Sequence, residues 1–155
     1  GSRPIMAEIQ SLVSKSAFVT PRRAAAGFDY NRANLLIAVL EKRAGFHLSA
    51  LDVYINVVGG IKMDEPAADL ALACSIVSSL LDKPLMDRSI AFGEIGLGGE
   101  IRPVRNADMR IKEAIAMGYK KCFMPKANSI KIDFKPDIEI IAASDISDIR
   151  KILKR

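Results

Sequence analysis

Ser75, Ser78 and Ser79, with Lys112 downstream, are the residues of this 155-residue chain that could form a hydrolytic pair. A Ser/Lys mechanism needs an oxygen nucleophile and an amine whose pKa can fall until it takes the hydroxyl proton. The three serines lie two or more turns inside an apolar helical pattern, which is a poor place to present a nucleophile. Cys74 and Cys122 lack C-x-x-C spacing and fall in apolar patterns, so they read as buried, reduced thiols rather than zinc or redox ligands. His47 is the only histidine and cannot build a metal site alone. There is no G-x-x-x-x-G-K-[ST] phosphate loop, so ATP is not expected to bind here by that route. The glycines between Gly93 and Gly99 belong to a hairpin pattern rather than to a strand-to-helix turn.

Cationic pairs are the other chemistry on offer. Arg22 and Arg23 precede Ala24-Ala25-Ala26-Gly27, a small-residue segment that reads as a flexible loop. Adjacent arginines on a loop can each take a phosphate, or can pair with a neighbouring subunit. Lys120 and Lys121, at a helix-to-strand junction, are a weaker phosphate candidate. The net charge of +5 is concentrated towards the C-terminus, and a basic excess favours polyanions. With no recognition-helix motif or aromatic stacking platform, base-specific reading is not expected.

The elements that must position these groups follow from hydrophobic periodicity. Alternation at Ile5, Ala7, Ile9 and Val13 predicts a strand, and Ala17 to Thr20 a second that pairs with it as a hairpin. Leu35, Leu36, Val39 and Leu40 predict an amphipathic helix over 30–44, with Asp29 as N-cap and Gly45 as the stop. Leu51 to Val58 reads as a strand broken by Gly59-Gly60. Pro66 opens a helix to about Leu81 that is apolar on nearly every side and therefore central. Ser89 to Leu97 and Glu100 to Val104 flank the Gly98-Gly99 turn of a hairpin. Asn106 caps a helix ending at Gly118, and Lys120 to Met124 and Ile138 to Ala142 are strands. Ser144 caps a last helix, whose Arg150, Lys151, Lys154 and Arg155 complement its dipole. This order predicts a mixed α/β, two-layer architecture over residues 1–155 as one domain, and 50% apolar content suffices for its core. There is no charged-then-apolar leader and no uninterrupted apolar run of about 18 residues, so the expected compartment is the cytoplasm, with no membrane contact.

Two segments carry a family resemblance. MDEPAADLALACSIVSSLL, from Met63 to Leu81, and FGEIGLGGEIRPVRNADMRIKEAIAMGY, from Phe92 to Tyr119, resemble the proteolytic domain of Lon-type serine proteases. The resemblance puts Ala67 at the nucleophile position and Arg110 at the position of the general-base lysine. Alanine has no hydroxyl and a guanidinium stays protonated, so it implies a Lon-like fold with no catalytic residues. It also implies that the end of the Pro66 to Leu81 helix, not its middle, faces the cleft, which sets aside Ser75, Ser78 and Ser79. Asp69, on a helix otherwise almost free of charge, needs a partner, and an Asp69 to Arg110 ion pair is expected to fill the space of the lost dyad.

Further motifs are absent from Lon: Arg3-Pro4-Ile5, Thr20-Pro21-Arg22-Arg23, Asp29-Tyr30-Asn31-Arg32 and Ala38 to Gly45. With Asp52 to Gly60 and Glu65 to Leu70 they resemble the RadA (Sms) family of bacterial DNA-repair proteins, whose C-terminal third is an inactive Lon-like domain. The resemblance implies a DNA-binding scaffold domain of a DNA-dependent ATPase that acts in recombination by branch migration. It implies assembly into a homo-oligomer, a hexameric ring, around DNA. It also implies upstream zinc-finger and RecA-like domains that would hold Zn, ATP and Mg, with no cofactor or metal in this chain. Two rivals share some of these features: an active Lon-type peptidase domain, and the Lon-like domain of ComM-type competence helicases.

Overall fold

In the computed structural model, residues 8–58 and 65–155 are described, so Ile5, Ala7, Gly59-Gly60 and the Lys62 to Asp64 part of the Lon-like motif lie outside them. The mixed α/β class is borne out. One sheet has the order β1-β3-β2, from β1 (Ile9–Lys15), β2 (Arg23–Ala26) and β3 (Leu51–Val57), with β1 antiparallel and β2 parallel to β3. A second sheet, wholly parallel, has the order β4-β7-β8, from β4 (Ser89–Ala91), β7 (Lys121–Pro125) and β8 (Glu139–Ala143). Strands β5 (Glu94–Ile95) and β6 (Ile101–Arg102) pair separately as a short hairpin.

The predicted hairpin of Ala17 to Thr20 against the first strand does not form. Residues 17–20 are a bend, and the segment read as a flexible arginine loop is strand β2. The alanines are weak strand formers, but β3 offers a parallel partner once helix α1 (Tyr30–Ala44) has crossed over between them. Helix α1 has its expected ends: the Asp29 carboxylate accepts the Arg32 backbone N–H at 2.8 Å, and Gly45 is left-handed with φ 73°.

Helix α2 (Asp69–Leu81) follows a 3-10 turn at Pro66–Ala68 and is the centre of the molecule. Leu70, Leu72, Ala73, Ile76 and Val77 on it are fully buried. Its serines tie it to an edge strand. The Ser79 hydroxyl accepts the Val13 backbone N–H at 2.9 Å, and the Ser75 hydroxyl donates to the Ile9 carbonyl at 3.2 Å. These groups of β1 face away from β3, so two hydroxyls one helical turn apart occupy an edge that would otherwise be open to another chain.

The predicted strand from Ser89 to Leu97 breaks at Phe92-Gly93, so that β4 joins the parallel sheet and β5 the hairpin. Helix α3 (Ala107–Ala116) starts after Asn106, whose side chain makes no capping bond. A short helix α4 (Lys126–Ser129) follows β7. The last predicted helix is a 3-10 helix, Ile146–Ile152, capped by an Asp145 and Asp148 box rather than by Ser144.

Candidate functional site

A pocket of about 220 Å³ opens at the N-terminal end of α2, with Ala67 and Arg110 both on its wall. The two positions that the Lon-like motifs single out are therefore brought together, from a 3-10 turn and from α3. Its apolar lining includes Ile9, Leu85, Ile90 and Phe92, and its charged rim is formed by Glu8, Glu65, Arg110 and Glu113.

The expected Asp69 to Arg110 pair is not what forms. Arg110 donates to the Glu65 carboxylate at 2.8 Å and to the Arg105 carbonyl at 3.2 Å. Asp69 is 0% exposed and takes a bidentate guanidinium from Arg32 of α1, with Nε to Oδ1 at 3.0 Å and the second contact through Nη2 and Oδ2. The Asp69 carboxylate also accepts the Ile95 backbone N–H at 3.0 Å, while Arg32 reaches the Ile95 carbonyl at 3.3 Å. The hydrogen bond to Asp69 holds the Arg32 guanidinium above its ordinary pKa, against the opposing effect of its own burial. The physical reason for the correction is direction. Asp69 turns inwards from the start of α2 towards α1 and β5, whereas Arg110 stays on the pocket rim, where Glu65 neutralises it. Two backbone bonds complete the seam: Gly93 N–H to the Ala67 carbonyl at 2.9 Å, and Leu70 N–H to the Gly93 carbonyl at 3.0 Å.

The displaced dyad of the rival peptidase reading is not assembled. Ser75 and Ser79 are engaged with β1, and the Ser78 hydroxyl donates to the Lys83 carbonyl at 2.6 Å. The Lys112 ammonium lies 4.9 Å from the centre of the Phe134 ring, in a separate groove beside Met109 and Lys131. Both cysteines are buried, which pushes the Cys122 thiol up to about 12 and the Cys74 thiol further in the same direction. Such thiols are neutral and unreactive at neutral pH.

The four candidate phosphate contacts divide. Arg23 spends its guanidinium on the carbonyls of Leu48, at 2.9 Å, and Leu51, so it fixes β2 to the turn before β3. Lys121 pairs with Glu139. Arg22 is exposed, and its guanidinium lies 3.9 Å over the Phe18 ring while its backbone N–H donates to Asp52 at 2.7 Å, holding that carboxyl below the ordinary range. Lys120 is exposed, with no ion pair among the described residues.

The chain belongs to the family described as subunit ChlI of Mg-chelatase, which matches residues 24–128. Nearly its whole length is homologous to proteins named DNA repair protein RadA, as the motifs of 3–70 indicate. It is 42% identical to that of Rickettsia felis over 154 residues, covering 99% of this chain and 33% of that protein. It is 44% identical to that of Streptococcus pneumoniae over 151 residues (97% and 36%), and 45% identical to that of Bacillus subtilis over 148 (96% and 32%). The chain thus spans about a third of the length of these curated relatives. Among the described residues no helix is long and apolar enough to cross a membrane.

Proposed function

We propose that this chain is the non-proteolytic, Lon-like scaffold and DNA-binding domain of a RadA-type, DNA-dependent ATPase of recombination and repair. In this reading it is one cytoplasmic domain of a longer protein, holds subunits in a hexameric ring, and contacts DNA during branch migration. The ATPase and zinc-finger domains, with their ATP, Mg and Zn, belong to the remainder. The observation that carries the reading is the match of nearly the whole of this chain, at 42–45% identity, to about a third of proteins named for DNA repair, together with Ala67 and a neutralised Arg110 where a peptidase needs a hydroxyl and a free amine.

Charge supports the DNA contact. Between Ile101 and Lys135 stand nine lysines and arginines against three carboxylates, on the lobe built from α3, β7 and α4. Of the four candidate phosphate contacts, Lys120 is the one on this lobe whose ammonium has no ion pair among the described residues. Duplex binding followed by fluorescence anisotropy from low to moderate salt should show log affinity falling with log salt by only a few units, at about 0.9 per phosphate neutralised. Lys120→Ala should reduce that slope by about one and leave base sequence preference flat. Absence of binding at the lowest salt would remove DNA contact from this domain.

A further inference from the structure

The bend between β1 and β2 presents an apolar tip of an unusual kind. Val19 is 104% exposed and Phe18 is 47% exposed, yet the loop is held in shape. The Ser16 hydroxyl accepts the Phe18 N–H at 3.1 Å, and Arg22 lies over one face of the Phe18 ring. A preformed tip loses little conformational entropy when it docks. Its flanks are cationic, with Lys15 on one side and Arg22-Arg23 on the other.

The pocket at Ala67 has the opposite character. It is apolar inside, and of its rim carboxylates only Glu65 is neutralised, by Arg110; Glu8 and Glu113 make no ion pair among the described residues. An apolar hole with two carboxylates on its rim that pair with no cation among the described residues suits an apolar side chain followed by a cation. The tip supplies both.

Tip and pocket cannot meet within one molecule. Ile9, at the start of β1, lines the pocket, whereas Ser16 follows its end, and the seven residues of β1 span roughly 20 Å. A knob and a complementary hole at opposite ends of one strand generate a heterologous, head-to-tail contact, which closes into a ring or runs on as a filament. We infer that the Phe18-Val19 tip of one copy seats in the Ala67 pocket of the next, with Arg22 facing the Glu8 and Glu113 rim, so that the vacated catalytic pocket is the socket of self-assembly. This rests on the ring reading above and names the surfaces that make it.

The test is sedimentation velocity over a concentration series of the chain, with thermal melts to verify folding. Val19→Asp removes the knob, and Ala71→Met fills the hole from α2; Glu113→Lys reverses the rim charge should the filled pocket prove misfolded. Each variant alone should be monomeric where the parent assembles, with association weakened about 10- to 100-fold, as expected for one buried valine-sized side chain. An equimolar mixture of a knob variant and a hole variant retains one intact knob and one intact hole, so it should stop at the dimer. If the parent assembles and Val19→Asp assembles equally, the socket is wrong and the ring reading stands. If both variants are monomeric and their mixture also stays monomeric, the head-to-tail pairing is overturned. A parent that remains monomeric throughout overturns the socket and the ring reading together.

Discussion

Asp69→Ala destabilises the chain by about 3–5 kcal/mol, the usual cost of removing one partner from a buried, hydrogen-bonded ion pair. The loss is large because three groups depend on this carboxylate: both guanidinium contacts of Arg32 and the Ile95 N–H, which is left buried without an acceptor. Urea denaturation at neutral pH measures it as a shift in midpoint at constant slope. Arg110→Ala is the control. Its pair with Glu65 lies at the pocket rim, so it should cost less than about 1 kcal/mol. Equal losses from the two variants would reinstate an Asp69 to Arg110 partnership.

Gly99→Ala is expected to cost about 2–4 kcal/mol. Part is backbone strain, because Gly99 has φ +85°, where a Cβ costs about 1–2 kcal/mol. The rest is crowding: an added Cβ would lie 2.9 Å from Arg43 Cβ on α1 and 3.0 Å from Ile146 Cγ2. Gly98→Ala, in the same turn, meets only the flexible end of Glu100 and should change stability by less than about 1 kcal/mol. Thermal or urea melts of the two single variants distinguish a close-approach glycine from a turn glycine. Similar effects would mean that the hairpin does not pack against α1.

These two positions also mark how far the sequence can be read. Helix α1 was legible from Asp29, its apolar spacing and Gly45, because caps and periodicity are local. The Gly98-Gly99 turn was legible for the same reason, but the approach of Arg43 to Gly99 joins residues far apart in the chain. Strand β2 is not legible in the sequence, because Arg23–Ala26 has no alternating pattern of its own and becomes a strand through pairing with β3. At the site, the Lon-like motifs brought Ala67 and Arg110 to one pocket, yet they misdirected Asp69. Its true partner carried a faint signal: Arg32 lies four residues before Leu36 and eight before Leu40, on the row of α1 that faces the core. A cation on that row needs a buried anion, and Asp69 is the buried acid of the adjacent helix α2.

The proposed non-proteolytic reading is tested most directly by intact-mass measurement after prolonged exposure to a serine-directed phosphonate, with peptide hydrolysis followed in parallel. Removing the nucleophile of a serine protease costs on the order of 10⁶ in turnover. The chain should therefore keep its unmodified mass and show no hydrolysis above buffer. A single adduct mapped to Ser75, Ser78 or Ser79, with hydrolysis that disappears on its formation, would contradict the account and make this a peptidase.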